Sequence, residues 1–121
     1  MNDKQKIENC IDLYYEGCCE SDSVKIKQAF DENAMISGYL PDGLHEMNLE
    51  EFAEFVDAQQ PSPQEKGDEP FLEILSGEIV GDTALVKIKE AYLGMIFIDS
   101  FSFLKKEDTW RIYTKLFHVE S

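Results

Sequence analysis

The sequence predicts an α+β domain in which helices come first and an antiparallel meander follows. Four strand-like runs fill the last part of the chain with very short connections, at 71–80, 83–93, 95–104 and 109–119. Most of the sequence before Pro70 has the periodicity of helices instead. This order of elements predicts one curved, mostly antiparallel sheet that wraps against a few N-terminal helices.

Length and composition predict a single domain over residues 1–121. A chain of 121 residues with 43% hydrophobic content can bury one ordinary core. Its apolar runs are too short for a membrane-spanning helix. The segment Met1–Lys6 lacks the apolar stretch of a secretory signal, so we expect a cytoplasmic protein.

The charge is strongly negative and unevenly distributed. The formal net charge is −14, and residues 1–70 hold 17 acidic and 5 basic side chains against 8 and 6 in residues 71–121. Such a field repels phosphate backbones and anionic lipid surfaces, so we expect neither nucleic acid nor membrane as a partner. The acidic helices are typical of a solvated surface, and a docking surface for another protein is the alternative.

The cysteines and histidines predict neither a metal site nor a disulfide. Cys10, Cys18 and Cys19 all fall on the first helix, where free thiols in a reducing compartment are expected. His45 and His118 are separated by most of the chain and do not form a ligand set by themselves. We find no Gly-rich phosphate loop, Ser-centred elbow or Cys–His pair, and we expect no cofactor.

The elements of the first half follow from caps and spacing. Asn2 or Asp3 can cap the first helix, and Ser21-Asp22 restarts a short second one. A strand over 34–39 ends at a Pro-Asp-Gly turn, and Asn48 with Glu51 forms a capping box for the next helix. Residues 61–70 read as a polar, proline-bounded loop. The buried stripe of the first helix is expected to consist of Ile7, Cys10, Ile11, Tyr14 and Cys18.

Two-residue turns set the predicted strand register. Gly81-Asp82 forms one such turn, another lies between 105 and 108, and each pairs odd positions with even ones. The inward face then holds Met95, Phe97, Asp99, Phe101, Phe103, Trp110, Ile112, Thr114, Leu116 and His118. The outer face holds Ile96, Ile98, Ser100, Ser102, Leu104, Arg111, Tyr113, Lys115 and Phe117. In the preceding hairpin the same rule places Phe71, Glu73, Leu75, Gly77 and Ile79 beside Ala84, Val86, Ile88, Glu90 and Tyr92.

Three loose stretches carry a resemblance to a known superfamily: 14–17 with 29–34, 43–44 with 47–52, and 97–104 with 110–118. Together they span nearly the whole chain, which resembles NTF2-like proteins and, among them, the SnoaL-like and Putative lumazine-binding branch. The resemblance implies a cystatin-like α+β cone around a conical pocket, and a homodimer formed through the outer sheet face. Members include isomerases, cyclases, dehydratases, transport factors and binders of small molecules.

The resemblance also implies a role for Tyr14, because steroid-isomerase relatives use a tyrosine of this helix to donate a hydrogen bond to the developing oxyanion. Those relatives carry their general base as an aspartate on the first strand. The nearest positions here are Ser37 and Gly38, so steroid-isomerase chemistry is not expected.

Asp99 is the sharpest candidate for a functional group, because it is the lone acid on an otherwise aromatic face. A carboxyl group that loses hydration becomes a usable general acid or base near neutral pH. His118 would lie on the same face, which predicts an Asp99–His118 catalytic pair. Alternatively, Asp99 caps a bulge, binds a backbone amide or pairs with Lys115 across a slipped register.

A ligand in the cone is expected to contact the inward polar and aromatic side chains. Glu73 and Glu90 would be cross-strand neighbours, an arrangement that can separate two carboxyl pKa values, although strand ends are commonly wet. The expected ligand-binding residues are Tyr14, Tyr92, Phe97, Asp99, Phe101, Trp110, Thr114 and His118.

Three functions stay open from the sequence. The first is a binder of a small apolar or aromatic molecule. The second is an isomerase, cyclase or dehydratase that uses Asp99 with His118 or Tyr14 for proton transfer. The third is a dimeric scaffold whose pocket is filled by its own aromatic side chains. The mixed outer face, with Ile96, Ile98, Leu104, Tyr113 and Phe117, predicts the homodimer in all three.

Overall fold

The computed structural model describes residues 1–120 and has the predicted α+β architecture. The helices are α1 (Asp3–Glu20), α2 (Ser23–Ala29), α3 (Leu49–Asp57) and α4 (Pro63–Lys66); the strands are β1 (Phe30–Leu40), β2 (Gly43–Asn48), β3 (Leu72–Val80), β4 (Thr83–Tyr92), β5 (Met95–Lys106) and β6 (Thr109–Val119). The strands form one sheet in the order β2-β1-β6-β5-β4-β3. Only β1 and β6 pair in parallel, so the sheet is mostly antiparallel.

Local signals at the helix starts are confirmed. Asn2 caps α1 in a capping box with Gln5, and Asn48 caps α3 in a box with Glu51. The predicted stripe of α1, from Ile7 to Cys18, is buried. All three cysteines are free thiols, as expected.

Two elements were not predicted from the sequence. The first is β2, an edge strand in which exposed residues (Leu44, Glu46 and Asn48) alternate with the partly buried His45 and Met47. The second is α4, which lies inside the predicted loop and starts at a capping box of Ser62 and Glu65. The signal for α4 was present in the sequence as a serine followed by proline and, three residues on, by glutamate.

The two-residue turns are confirmed, since Val80 pairs with Thr83 and Lys106 with Thr109. The register beyond them is wrong in β6, where Phe103 faces Ile112 but Ser102 faces Thr114. Tyr113 is therefore an extra residue, a β-bulge.

Because side chains alternate with a period of two, the bulge reverses the facing of every later residue. Lys115 and Phe117 point inward and are buried, whereas Thr114, Leu116 and His118 belong to the outer face.

A second bulge makes the register of the preceding hairpin wrong as well. Ile74 faces Ile88 and Ser76 faces Lys87, which leaves Leu75 as the extra residue of β3. Glu73 consequently pairs with Lys89, and Leu72 is the neighbour of Glu90. The predicted Glu73–Glu90 pair does not form, and Glu90 is not at a wet rim but is only 1% exposed.

Gly38 is required where β1 meets β6. Gly38 pairs with Phe117, and a Cβ atom at this position would lie 2.4 Å from the Phe117 ring. The absence of a side chain on Gly38 lets that ring cover the inner face. An aspartate at Gly38 could not be accommodated without displacing Phe117.

None of the helices within residues 1–120 is both long and apolar enough to cross a membrane.

Candidate functional site

A cavity opens between α3, β2 and the inward faces of the central strands. Its volume is about 50 Å³, room for a few water molecules. The lining is mainly aromatic and aliphatic with a polar part at Glu90, Tyr92 and Lys115. We call this space the inner cavity, and its lining residues are Leu40, His45, Met47, Phe52, Phe55, Glu90, Tyr92, Leu93, Phe97, Lys115 and Phe117.

A buried hydrogen-bond chain joins helix α1 to the two strands that flank the cavity. The Lys115 ammonium donates to the Tyr14 hydroxyl at 2.5 Å, and this hydroxyl donates to Glu90 Oε2 at 2.8 Å. All three side chains are buried, with Lys115 6% and Glu90 1% exposed. The Tyr14 hydroxyl thus bridges a buried cation and a buried acid, and these supply the hydrogen-bond partners that a buried tyrosine needs.

Aromatic rings surround the Lys115 ammonium. Its Nζ lies 4.8 Å from the centroids of both the Tyr14 and Phe52 rings and 5.3 Å from that of Phe117. Ring faces attract a cation within about 6 Å. These rings therefore compensate part of the hydration that Lys115 loses on burial.

Burial changes the acid–base properties of the residues in this chain. Desolvation raises the pKa of Glu90, while the charge of Lys115 and the hydrogen bond from Tyr14 act in the opposite direction. Desolvation also raises the pKa of Tyr14 and of Tyr92. Both tyrosines consequently keep their hydroxyl protons at neutral pH, and Glu90 holds a proton more readily than an exposed glutamate.

Buried polar atoms without a partner are concentrated in this part of the core. Within residues 1–120 these atoms are Glu90 Oε1, the Tyr92 hydroxyl oxygen and both carboxylate oxygens of Asp99. Buried polar groups are almost always hydrogen-bonded, so each such atom calls for an explanation. Glu90 and Tyr92 line the inner cavity, where a bound molecule can complete their hydrogen bonds.

Asp99 lies on the inward face, as predicted, but apart from the inner cavity. It is 0% exposed and sits between Ile88 and Phe117 on the neighbouring strands. The side chains that line the cavity do not include it. Glu90 and Lys115 are its diagonal neighbours across the sheet, yet neither hydrogen-bonds to it in the described structure.

The predicted catalytic pair does not assemble. His118 is exposed on the outer face beside Tyr39, with ring centroids 5.8 Å apart, and Asp99 is on the inner one. Thr114 is also outward, within hydrogen-bonding distance of Ser102. The bulge at Tyr113 causes both errors.

The other predicted ligand-binding residues divide into three groups. Tyr92 and Phe97 line the inner cavity, and Tyr14 reaches it through its bonds to Lys115 and Glu90. Phe101 is in the core against Tyr14, with ring centroids 5.2 Å apart. Trp110 is in the core, and its indole N–H donates to Asp3 at 3.0 Å.

Sequence reasoning missed the cation of the site and most of the cavity wall, since only Tyr92 and Phe97 of the eleven lining residues were among the expected ligand-binding residues. Lys115 was assigned to the outer face with Phe117 because the bulge carries no clear sequence signal. Phe52 and Phe55 could have been found, since they follow the Asn48 cap on the apolar face of α3. His45 lies at the cavity edge and hydrogen-bonds to Asp42 at 2.7 Å.

Within residues 1–120, no group of three or more His, Cys, Asp or Glu side chains has the geometry to hold a metal ion. The polar groups at or directly behind the wall of the inner cavity are the amine of Lys115, the carboxyl of Glu90 and the hydroxyl groups of Tyr14 and Tyr92.

Comparisons with known proteins agree on family and fold. The family model described as Putative lumazine-binding matches residues 2–118. A comparison with curated proteins gives no match.

Solved structures of high similarity are NTF2-like proteins. One of unknown function from Shewanella baltica OS155 is 28% identical, with a TM-score of 0.84 and coverage of 98% of this chain and 94% of its own. Another, from Silicibacter pomeroyi DSS-3, is 21% identical with a TM-score of 0.86 and coverage of 99% and 100%. A third, from Novosphingobium aromaticivorans and described as having a cystatin-like fold, is 16% identical with a TM-score of 0.71 and coverage of 97% and 81%.

Proposed function

The chain belongs to the Putative lumazine-binding family of NTF2-like domains, and we propose that it binds a small aromatic or apolar cyclic molecule in the inner cavity. The observation that carries the proposal is the polar end of an otherwise aromatic space, where Glu90 Oε1 and the Tyr92 hydroxyl are buried without partners. Ligand sites typically combine an apolar lining with a few fixed polar groups.

The dimensions of the cavity restrict the ligand. A volume of about 50 Å³ holds only a few non-hydrogen atoms, so the polar end of the ligand fits beside Glu90 and its ring extends toward the mouth. Leu40, Met47 and Leu93 are partly exposed there. Methionine is flexible and adapts to irregular shapes, so movement of Met47 is the expected way for a ring to enter.

A thermal-shift screen tests this proposal. Pterins, flavins and small cyclic ketones are screened for a rise in the unfolding temperature. A ligand present at 100 times its dissociation constant stabilises the folded state by about 2.7 kcal/mol. The matched variants are Met47→Trp, which fills the mouth, and Leu44→Trp on the opposite face of the same strand.

We expect the ligand-induced shift to disappear in Met47→Trp and to persist in Leu44→Trp. A shift that survives in both variants would contradict binding in the inner cavity. If no compound shifts the wild type, the scaffold hypothesis with a self-filled pocket takes precedence.

A second candidate function is proton transfer by Glu90. The observation that favours it is a buried carboxyl of raised pKa with one free oxygen at a cavity wall, which is the usual environment of a general acid or base. We assign this role to Glu90 and not to Asp99 and His118, because the Tyr14 hydroxyl donates a hydrogen bond to Glu90. In Glu90→Gln, deuterium exchange at the α-carbon of a bound cyclic ketone should slow by about 100-fold or more; an unchanged rate would exclude this role.

We also propose a homodimer that forms through the outer face of β4, β5, β6 and β1. Rows of outward residues cross these strands, and the central rows are Leu85–Ser102–Thr114–Met35 and Lys87–Ser100–Leu116–Ser37. Leu85 is 64% and Leu116 58% exposed. Leu116 thus takes the place that the sequence had assigned to Phe117.

Sedimentation at micromolar concentration tests the dimer. Leu116→Asp should sediment as a monomer, because the dimer would have to bury a carboxylate where the wild type buries an exposed leucine, and a carboxylate that loses its water is costly without a partner. Val24→Asp, which changes an exposed side chain of α2, should remain dimeric. A monomeric wild type would exclude the proposal.

A further inference from the structure

The inner cavity contains a buried primary amine, a reactive group that simple ligand binding does not require. We propose that Lys115 forms an imine with a small aromatic or alicyclic aldehyde or ketone held in the inner cavity. The inference rests on the proposed binding function and specifies the ligand class as a carbonyl compound.

The surroundings of Lys115 differ from those of the paired surface lysines. Lys25 and Lys105 contact acidic side chains directly and keep part of their side chains in solvent. The Lys115 amine instead lies at the cavity wall, 6% exposed, with a hydroxyl group as its hydrogen-bond partner. It can therefore reach a molecule in the cavity without first breaking a direct contact with a carboxylate.

An amine must lose its ammonium proton before it can attack a carbonyl carbon, and the structure contains a route for that proton. Lys115 passes a proton to the Tyr14 hydroxyl, which passes its own proton to Glu90 Oε2 across contacts of 2.5 and 2.8 Å. The products are a neutral amine, an intact phenol and a neutral carboxylic acid. The raised pKa of Glu90 supports its role as the group that keeps the proton.

The addition and dehydration then balance. The Lys115 nitrogen forms a bond to the carbonyl carbon, and one of the two amine protons moves to the carbonyl oxygen, which becomes a hydroxyl group. The Glu90 carboxylic acid protonates that hydroxyl, the C–O bond breaks to release water, and the nitrogen lone pair forms the C=N bond. The proton that remains on the nitrogen returns through Tyr14 to the Glu90 carboxylate, which leaves a neutral imine and a carboxylic acid. One amine and one carbonyl compound thus give one imine and one water, with no oxidant or reductant.

The cavity wall has groups that suit both the reactant and the product. Glu90 Oε1 and the Tyr92 hydroxyl are without partners and can bond to the carbonyl oxygen or to the hydroxyl that replaces it. If the imine is protonated, its positive charge remains among the Tyr14, Phe52 and Phe117 rings that now surround the ammonium.

Reductive trapping tests the inference on the intact protein. Benzaldehyde and sodium cyanoborohydride at neutral pH convert an imine into a stable benzyl-lysine, which intact mass and peptide mapping locate. We expect the first benzyl group on Lys115, and none there in Lys115→Arg, which keeps the positive charge but cannot form the imine. Labelling confined to other lysines of the wild type would overturn the proposal without any need for a folded variant.

Glu90→Gln tests the proton route separately. Loss of a general base commonly slows a reaction by about 100-fold or more, and that is the decrease we expect in the rate of Lys115 benzylation. A rate equal to that of the wild type would show that Glu90 is not the proton acceptor and would overturn this part of the mechanism.

Benzyl alcohol separates failure of the imine from failure of binding, since it has the same ring without a carbonyl group. A thermal shift with benzyl alcohol, lost in Met47→Trp, together with no labelling of Lys115 would refute the imine and leave the binding function intact. Absence of both the shift and the label would refute both proposals. Labelling of Lys115 that free benzyl alcohol suppresses supports both.

Discussion

Two buried carboxyl groups of the same sheet differ in what surrounds them. Glu90 accepts a hydrogen bond from the Tyr14 hydroxyl, which in turn accepts one from the Lys115 ammonium. Glu90 also lines the inner cavity. Asp99, its diagonal neighbour, is 0% exposed and neither of its oxygens has a partner. The difference shows that burial of an acid is not enough to define a site. A usable acid also needs a partner that sets its protonation and a space in which a molecule can meet it.

The largest expected effect comes from removal of the cation beside Glu90. Lys115→Met should lower the free energy of unfolding at neutral pH by about 3–5 kcal/mol, because loss of one partner leaves a buried charge uncompensated. Urea unfolding measures the change. In the double variant with Glu90→Gln, both charges are absent and most of the loss should be recovered. Additive losses in the double variant would show that the two groups are not coupled.

Substitution of Asp99 by an apolar residue should instead stabilise the folded protein. Asp99→Val removes an acid that has no hydrogen-bond partner, so we expect a gain of about 1–3 kcal/mol in the free energy of unfolding. Asp99→Asn is the control, because it keeps a polar group of the same shape and should gain little. A destabilised Asp99→Val variant would indicate that the carboxyl has a partner in solution, such as an ordered water.

The pH dependence of stability sharpens the comparison for Glu90. Its pKa is raised in the folded state above the ordinary value of 4.5, so between these two values the folded protein holds a proton that the unfolded chain has lost. The stabilisation from Glu90 is therefore complete below pH 4.5 and decreases as pH rises through the folded pKa.

Urea unfolding of the wild type and of Glu90→Gln at a series of pH values from 4.5 upward measures the contribution of Glu90 to stability. The difference in unfolding free energy, wild type minus variant, should fall with rising pH. A difference that is constant or rises would contradict the assigned direction of the pKa shift.

The smallest effect is expected at His118, which the sequence had paired with Asp99. Because His118 is exposed on the outer face, His118→Ala should change the free energy of unfolding by no more than about 0.5 kcal/mol. Ligand-induced thermal shifts should also be unchanged. A loss of ligand response in this variant would restore the histidine to the site.

Much of the fold could be predicted because its signals are local. The caps at Asn2 and Asn48 and the two-residue turns of the meander agree with the structure. The candidate site was predicted less well. The sequence placed Tyr14, Tyr92 and Phe97 on the inner side of the sheet, where the structure has them, but it placed Lys115 on the outer face and Glu90 at a wet strand end.

The sequence by itself determined the order of elements, the buried stripe of α1 and the turns, since each depends on residues only a few positions apart. The tertiary structure alone decided which side of the sheet the end of β6 presents. One unpaired residue, Tyr113, exchanges the facing of all that follow it, and a bulge forms where packing of the whole sheet favours it. For that reason the Lys115 side chain lies inside the cone and the His118 side chain lies outside it.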